Sequence, residues 1–131
     1  MISDALEQIL QDLYADARAR SYEMITLEQL LLALMEHSAE VQQTLEALHV
    51  DLDILSGQLA ASIRDNTPTL PKSLLDKTDT QPTLGFQRVM QRAIIHAQSV
   101  EKRQVRPLDV LVAMMNEKDC PAVYFLQLQS V

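Results

Sequence analysis

Tryptophan is absent from this chain of 131 residues, glycine occurs twice and cysteine once, and Phe and Tyr together make up only 4%. Each scarcity excludes something. Gly57 and Gly85 are isolated, so no glycine-rich loop can cradle phosphates and the chain has no Walker A motif. A lone Cys120 rules out an internal disulfide framework, and no neighbouring Cys or His gives it zinc-ligand spacing. No apolar run exceeds the six residues of Leu30 to Met35, against the roughly 20 that a membrane-spanning helix needs. The opening MISDALEQ has neither a basic nor an apolar leader segment. Excess positive charge is missing too: 18 acidic against 11 basic side chains leave a net charge of −7, which repels phosphate backbones and anionic membrane surfaces alike. The expectation is a cytoplasmic protein, soluble and unexported, with no nucleic acid and no membrane among its partners.

What the chain does contain is helix-forming material. Apolar residues make up 47% of it, enough for a core, and Leu, Ala, Gln, Glu and Met lose little rotamer freedom in a helix. An all-α fold is expected. Ile2, Leu6, Ile9, Leu10, Leu13 and Ala17 keep the helical period and predict an amphipathic helix over 4–20. Thr26 with Gln29 three residues on reads as a capping box, each side chain satisfying the other's backbone N–H, with Ile25 stapled to Leu30. Ser38 and Asp51 are the next N-caps and predict helices over 39–48 and 52–64. Prolines and turn formers mark 65–82 as a connector, and the helical period resumes over 83–99. Pro107 then sits at a helix N1 position, and Cys120–Gln129 forms a last short helix.

The two halves repeat. An offset of 80 residues carries Leu6 to Phe86, Ile9 to Val89, Leu10 to Met90 and Ala17 to Ala97, then Ile25 to Val105, Leu31 to Leu111, Ala33 to Ala113, Met35 to Met115, Leu45 to Phe125 and Leu48 to Leu128, with no gap. A single amphipathic helix could align with another by chance; three helices and their turns in one register point to duplication. The predicted organisation is one domain over 1–131, with repeat 1 at 1–64, a connector at 65–82 and repeat 2 at 83–131. Val131 corresponds to Asp51, so the second repeat lacks its fourth helix. The face that this helix would cover, near Val89, Ala93 and Val112, is expected to be open.

With ITLEQLLLALM, the duplication and DTQPTLGFQRVMQRAIIHAQS on the page, the chain resembles the N-terminal domain of Clp/Hsp100 unfoldases, the ClpA type most of all. The resemblance implies a compact pseudo-twofold bundle of two four-helix repeats that receives adaptors and substrates for an ATPase ring. In ClpA-like enzymes the adaptor is ClpS, and the protease served through the unfoldase is ClpP. It also implies partner contacts around the start of the second helix and on the DTQP loop, which here are Glu23, Glu28 and Thr80. In related ClpC domains a glutamate early in each capped helix docks phosphoarginine; Glu28 matches the first position, and Leu108 stands at the second. The alternative is a free-standing regulator of this type, without an ATPase of its own.

Other residues read as scaffold. His37, His49 and His96 show no metal-ligand spacing. Cys120 lacks an evident base and reads as an inert thiol near a helix start. Met114 and Met115 share the register of Leu34 and Met35 and read as packing residues. Glu28 lies off the Ile25, Leu30, Leu31, Leu34 stripe, so its carboxylate is expected in solvent. With no constellation of nucleophile, base and oxyanion donors, the chain is read as non-catalytic, without cofactor or metal.

Overall fold

The computed structural model describes residues 2–70, 80–100, 104–117 and 120–131. Ser3 caps the first helix, α1 (Asp4–Ala19), by accepting the Leu6 N–H at 3.2 Å, and Leu6, Ile9, Leu13 and Ala17 form its buried stripe. A two-residue strand, β1 (Met24–Ile25), leads into α2 (Leu27–His37), whose first turn Thr26 caps through the Gln29 N–H. The cap is one-sided. Gln29 does not return a bond to Thr26; its Nε2 donates to Met24 O at 3.2 Å. Ser38 and Asp51 cap α3 (Ala39–Ala47) and α4 (Leu52–Asn66) as expected from their type, each accepting the N–H three residues ahead. α4 runs two residues past the expected end, because nothing before Pro68 breaks its hydrogen bonding and Thr67 N–H still reaches Ile63 O.

In the second half, β2 (Gln81–Pro82) precedes α5 (Leu84–Ser99), capped by Thr83, and then come α6 (Pro107–Met114) and α7 (Pro121–Leu128). Residues 71–79, most of the connector, lie outside the described residues. α1 and α5 are both 16 residues long and start 80 positions apart. The contacts that join the halves are reciprocal. Ile25 pairs in parallel with Pro82, and Ile2 with Val105, positions related by the same offset. Thr83 N–H donates to Ile25 O at 3.0 Å, and Ser3 N–H to Val105 O at 2.9 Å. This pattern maps onto itself when the halves are exchanged, as a pseudo-twofold axis requires. The fold is all-α: two related helical repeats around one core, with four helices described in the first and three in the second.

Leu30, Leu31, Leu34, Leu55, Leu59, Val89, Met114 and Leu126 are among the side chains sealed inside this core. Two of the three residues of the expected open face are here corrected. Val89 and Ala93 are buried, at 0% and 1% exposure, because α5 turns that stripe toward the shared core, just as α1 turns Ile9 and Leu13. Val112 alone is open, at 59%.

Candidate functional site

Two of the expected contact residues, Glu23 and Thr80, come together where β1 and β2 pair. Glu23 is exposed; its N–H donates to Pro68 O at 2.8 Å and its carbonyl accepts from Gln81 N–H at 3.2 Å. Thr80 lies beside it, but turned inward. It is 5% exposed, and its Oγ1 donates to Tyr22 O at 2.7 Å across 58 positions of sequence. Its side chain therefore clamps the connector to the first repeat and offers a partner little surface. The rest of the DTQP loop's start, Asp79, lies outside the described residues.

Glu28 departs from the exposed carboxylate expected of it. It is half-buried, in a cleft of about 460 Å³ formed by the starts of α2, α5 and α7 and the end of α6. The Cys120 thiol donates to Glu28 Oε1 at 3.8 Å. Helix periodicity placed Glu28 off the apolar stripe of α2, correctly; it carried no information about α7, whose first turn covers that side. Burial pushes the Cys120 thiol up from its ordinary range, and the Glu28 charge and hydrogen bond add to this, against the N–H groups of Val123 and Ala122. The thiol is thus held protonated at neutral pH, as a donor must be.

Arg88 and Glu117 complete the cleft. Arg88 Nη2 reaches Glu117 Oε1 at 2.7 Å, and Arg92 Nη1 reaches Oε2 at 3.2 Å. Glu117 is only 10% exposed on its side chain, and the hydrogen bond from Arg88 holds its carboxyl below the usual carboxylate range, with Arg92 helping. Gly85 keeps the wall low: a Cβ there would stand 3.4 Å from Leu27 Cδ1 and 3.6 Å from Glu117 Oε1. The cleft thus presents one carboxylate, Glu28, that among the described residues is bonded only to a weak thiol donor, beside an ion-paired rim. Arg88 and Glu117 were not singled out from sequence, and Cys120 was read there only as an inert thiol, because 92 positions separate Glu28 from Cys120 and 29 separate Arg88 from Glu117. No local motif encodes either contact.

Among the described residues, no three His, Cys, Asp or Glu side chains are grouped to hold a metal ion, and no helix is long and apolar enough to cross a membrane. The geometry is that of a helical repeat scaffold with a small polar cleft at its helix starts. Residues 1–129 match the model of the Clp repeat (R) N-terminal domain, and the chain belongs to that family. It is 41% identical over 129 residues to a "ClpA homolog protein" of Fuscovulum blasticum, covering 98% of this chain and 16% of that protein. The chain therefore spans about a sixth of the relative's length. Among solved structures it is similar to the Hsp104 N-terminal domain from Candida albicans, with a TM-score of 0.80 and 10% identity over 99% of this chain and 82% of that one. It is also similar to the N-terminal domain of the ClpV1 ATPase from E. coli, with a TM-score of 0.80 and 19% identity over 98% of this chain and 79% of that one.

Proposed function

We propose that this chain is the adaptor- and substrate-docking domain of a ClpA-like, ATP-dependent unfoldase, itself non-catalytic, binding a ClpS-like adaptor and protein clients and serving ClpP only through the unfoldase. It works as a single docking unit in the cytoplasm, with repeat 1 over 1–64, the connector over 65–82 and repeat 2 over 83–131. Glu23 and Glu28 touch the partner. Thr80 contributes by holding the connector, and so the edge between the two glutamates, against Tyr22 O.

One observation carries this reading: in a member of the Clp N-terminal family, the Glu28 carboxylate sits half-buried in a cleft with no stronger partner than a thiol at 3.8 Å. A carboxylate already partly stripped of water binds an incoming cationic or N–H donor more strongly than one on an open surface. Titration of a ClpS-like adaptor against Glu28→Lys, Glu28→Gln and the exposed control Glu46→Lys tests it. The expected outcome is at least about a tenfold loss of affinity for Glu28→Lys, equivalent to ~1.4 kcal/mol, a smaller loss for Glu28→Gln, and none for the control. Circular dichroism melts check that the fold survives. Equal affinities for Glu28→Lys and Glu46→Lys would remove Glu28 from the docking surface.

A further inference from the structure

A second cleft, of about 640 Å³, lies on a different face, between α1, α2 and α4. Gln29 lines it, and is 5% exposed. Its Nε2 is engaged by Met24 O at 3.2 Å, which sets the orientation of the amide, while its Oε1 is buried without a hydrogen-bond donor. Asp12, Asp16 and Glu36 line the same cleft, with Arg20, Arg64 and His37. The two arginines are already committed, Arg20 to Asp16 at 3.0 Å and Arg64 to Asp65 at 3.4 Å. Asp12 receives only the neutral Gln8 amide, at 2.9 Å, and Glu36 has His37 Nε2 at 3.9 Å. The surrounding repeat is strongly acidic: residues 1–64 carry eleven acidic and three basic side chains, whereas 83–131 carry four and six.

A buried acceptor with no donor among the described residues, in a cleft whose Asp12 and Glu36 are not neutralised by arginine, calls for a cation rich in N–H groups. We propose that this cleft binds a primary ammonium or a guanidinium, which donates to Gln29 Oε1 while Asp12 and Glu36 balance its charge. The Gln29 amide meets it by a small turn about its terminal torsion, which is a soft one; the turn brings Oε1 to the cleft surface and lengthens the Nε2 bond to Met24 O. The site is independent of Glu28 and of adaptor docking. The group has two chemical sources, a small free amine or a basic side chain on a bound protein segment, and both present the same donors.

Two-dimensional NMR of the isotope-labelled protein at constant ionic strength separates them. The probes are Nα-acetylarginine amide, cadaverine, and an N-acetylated flexible glycine–serine peptide carrying one arginine; Nα-acetylcitrulline amide, which has neither ammonium nor guanidinium, is the uncharged control. The expected result is a saturable shift of the Gln29 side-chain amide and of the Asp12 and Glu36 backbone signals, with no response to the acetylated citrulline amide. Replacing Gln29 by Met, which keeps the volume and removes the acceptor, should weaken binding about tenfold, whereas Gln29→Glu should tighten it. Asp12→Asn at the rim weakens it too, and tests the proposal even if Gln29→Met fails to fold. A response to the free amines and the peptide alike identifies a small-amine site; a response to the peptide alone identifies a protein side chain. Shifts spread over the acidic surface, equal binding by Gln29→Met, or no saturation by any probe would overturn the proposal.

Discussion

Met35 and Met115 are the same residue at equivalent positions of the two repeats, yet Met35 is 4% exposed and Met115 is half-buried. The same contrast separates Leu45, at 1%, from half-buried Phe125, and Gln29, at 5%, from half-buried Asp109. Leu32 and Val112 follow it, half-buried against 59% exposed. The difference lies in α4, which packs on α2 and α3 in the first repeat and also reaches α7, while among the described residues no equivalent helix packs on α6 and α7 in the way α4 packs on α2 and α3. Identical sequence patterns thus reach different burial because burial belongs to the neighbour as much as to the residue. Deeper layers escape the effect: Leu30 and Val110, and Leu34 and Met114, are all 0% exposed.

The largest expected effect comes from α4 itself. Leu59, fully buried on α4, should cost about 3–5 kcal/mol when cut to alanine, seen by urea denaturation; a loss under about 1 kcal/mol would mean that α4 does not seal the first repeat. Next is the pair that defines the comparison. Met35→Ala should destabilise by about 2–5 kcal/mol, and Met115→Ala by at least about 1 kcal/mol less. If the two methionines prove equal in urea melts, the asymmetry between the repeats has no energetic content.

A third difference is electrostatic. Where the second repeat has Arg88, Arg92 and Glu117 in one network, the first has Gln8, Asp12 and His37, which make no such network. The folded-state carboxyl of Glu117 lies below its unfolded value of 4.5, so its pairing contributes stability above about pH 4.5, lost as pH falls through the lowered value. Glu117→Gln should therefore lower Tm at pH 7 and converge with the parent chain in strong acid; a Tm difference that does not change with pH would discount the network. The smallest effect is expected at Val112→Ser, whose side chain is already in water: within about 0.5 kcal/mol of the parent. A cost as large as that of Met35→Ala would show that something covers Val112 in solution.

Much of this fold was legible in local chemistry. Ser38 and Asp51 cap helices because a short oxygen-bearing side chain reaches the N–H three residues on, and no tertiary contact is needed to make that favourable. Thr26 was read with equal ease, but its box was half wrong: Gln29 turns to Met24 O, while Asp109, its counterpart, does accept the Arg106 N–H at 2.9 Å. A glutamine can donate as well as accept, and β1 places a carbonyl where the amide can reach it; an aspartate can only accept. Among the residues proposed for docking, Glu23 stands in solvent as a charged loop residue should, whereas Thr80 and Glu28 were both drawn inward by segments far off in sequence.

The sequence by itself determined the helices, their caps, the duplication and its register, because each rests on side-chain period and on bonds within three or four residues. The tertiary structure alone decided that Cys120 would meet Glu28, that Arg88 would meet Glu117, and that Val89 and Ala93 would be sealed while Val112 stayed open. Those outcomes depend on which helix lies against which. The apolar stripe of a helix says that it needs a neighbour; only the assembled core says which one it gets and which polar groups it brings along.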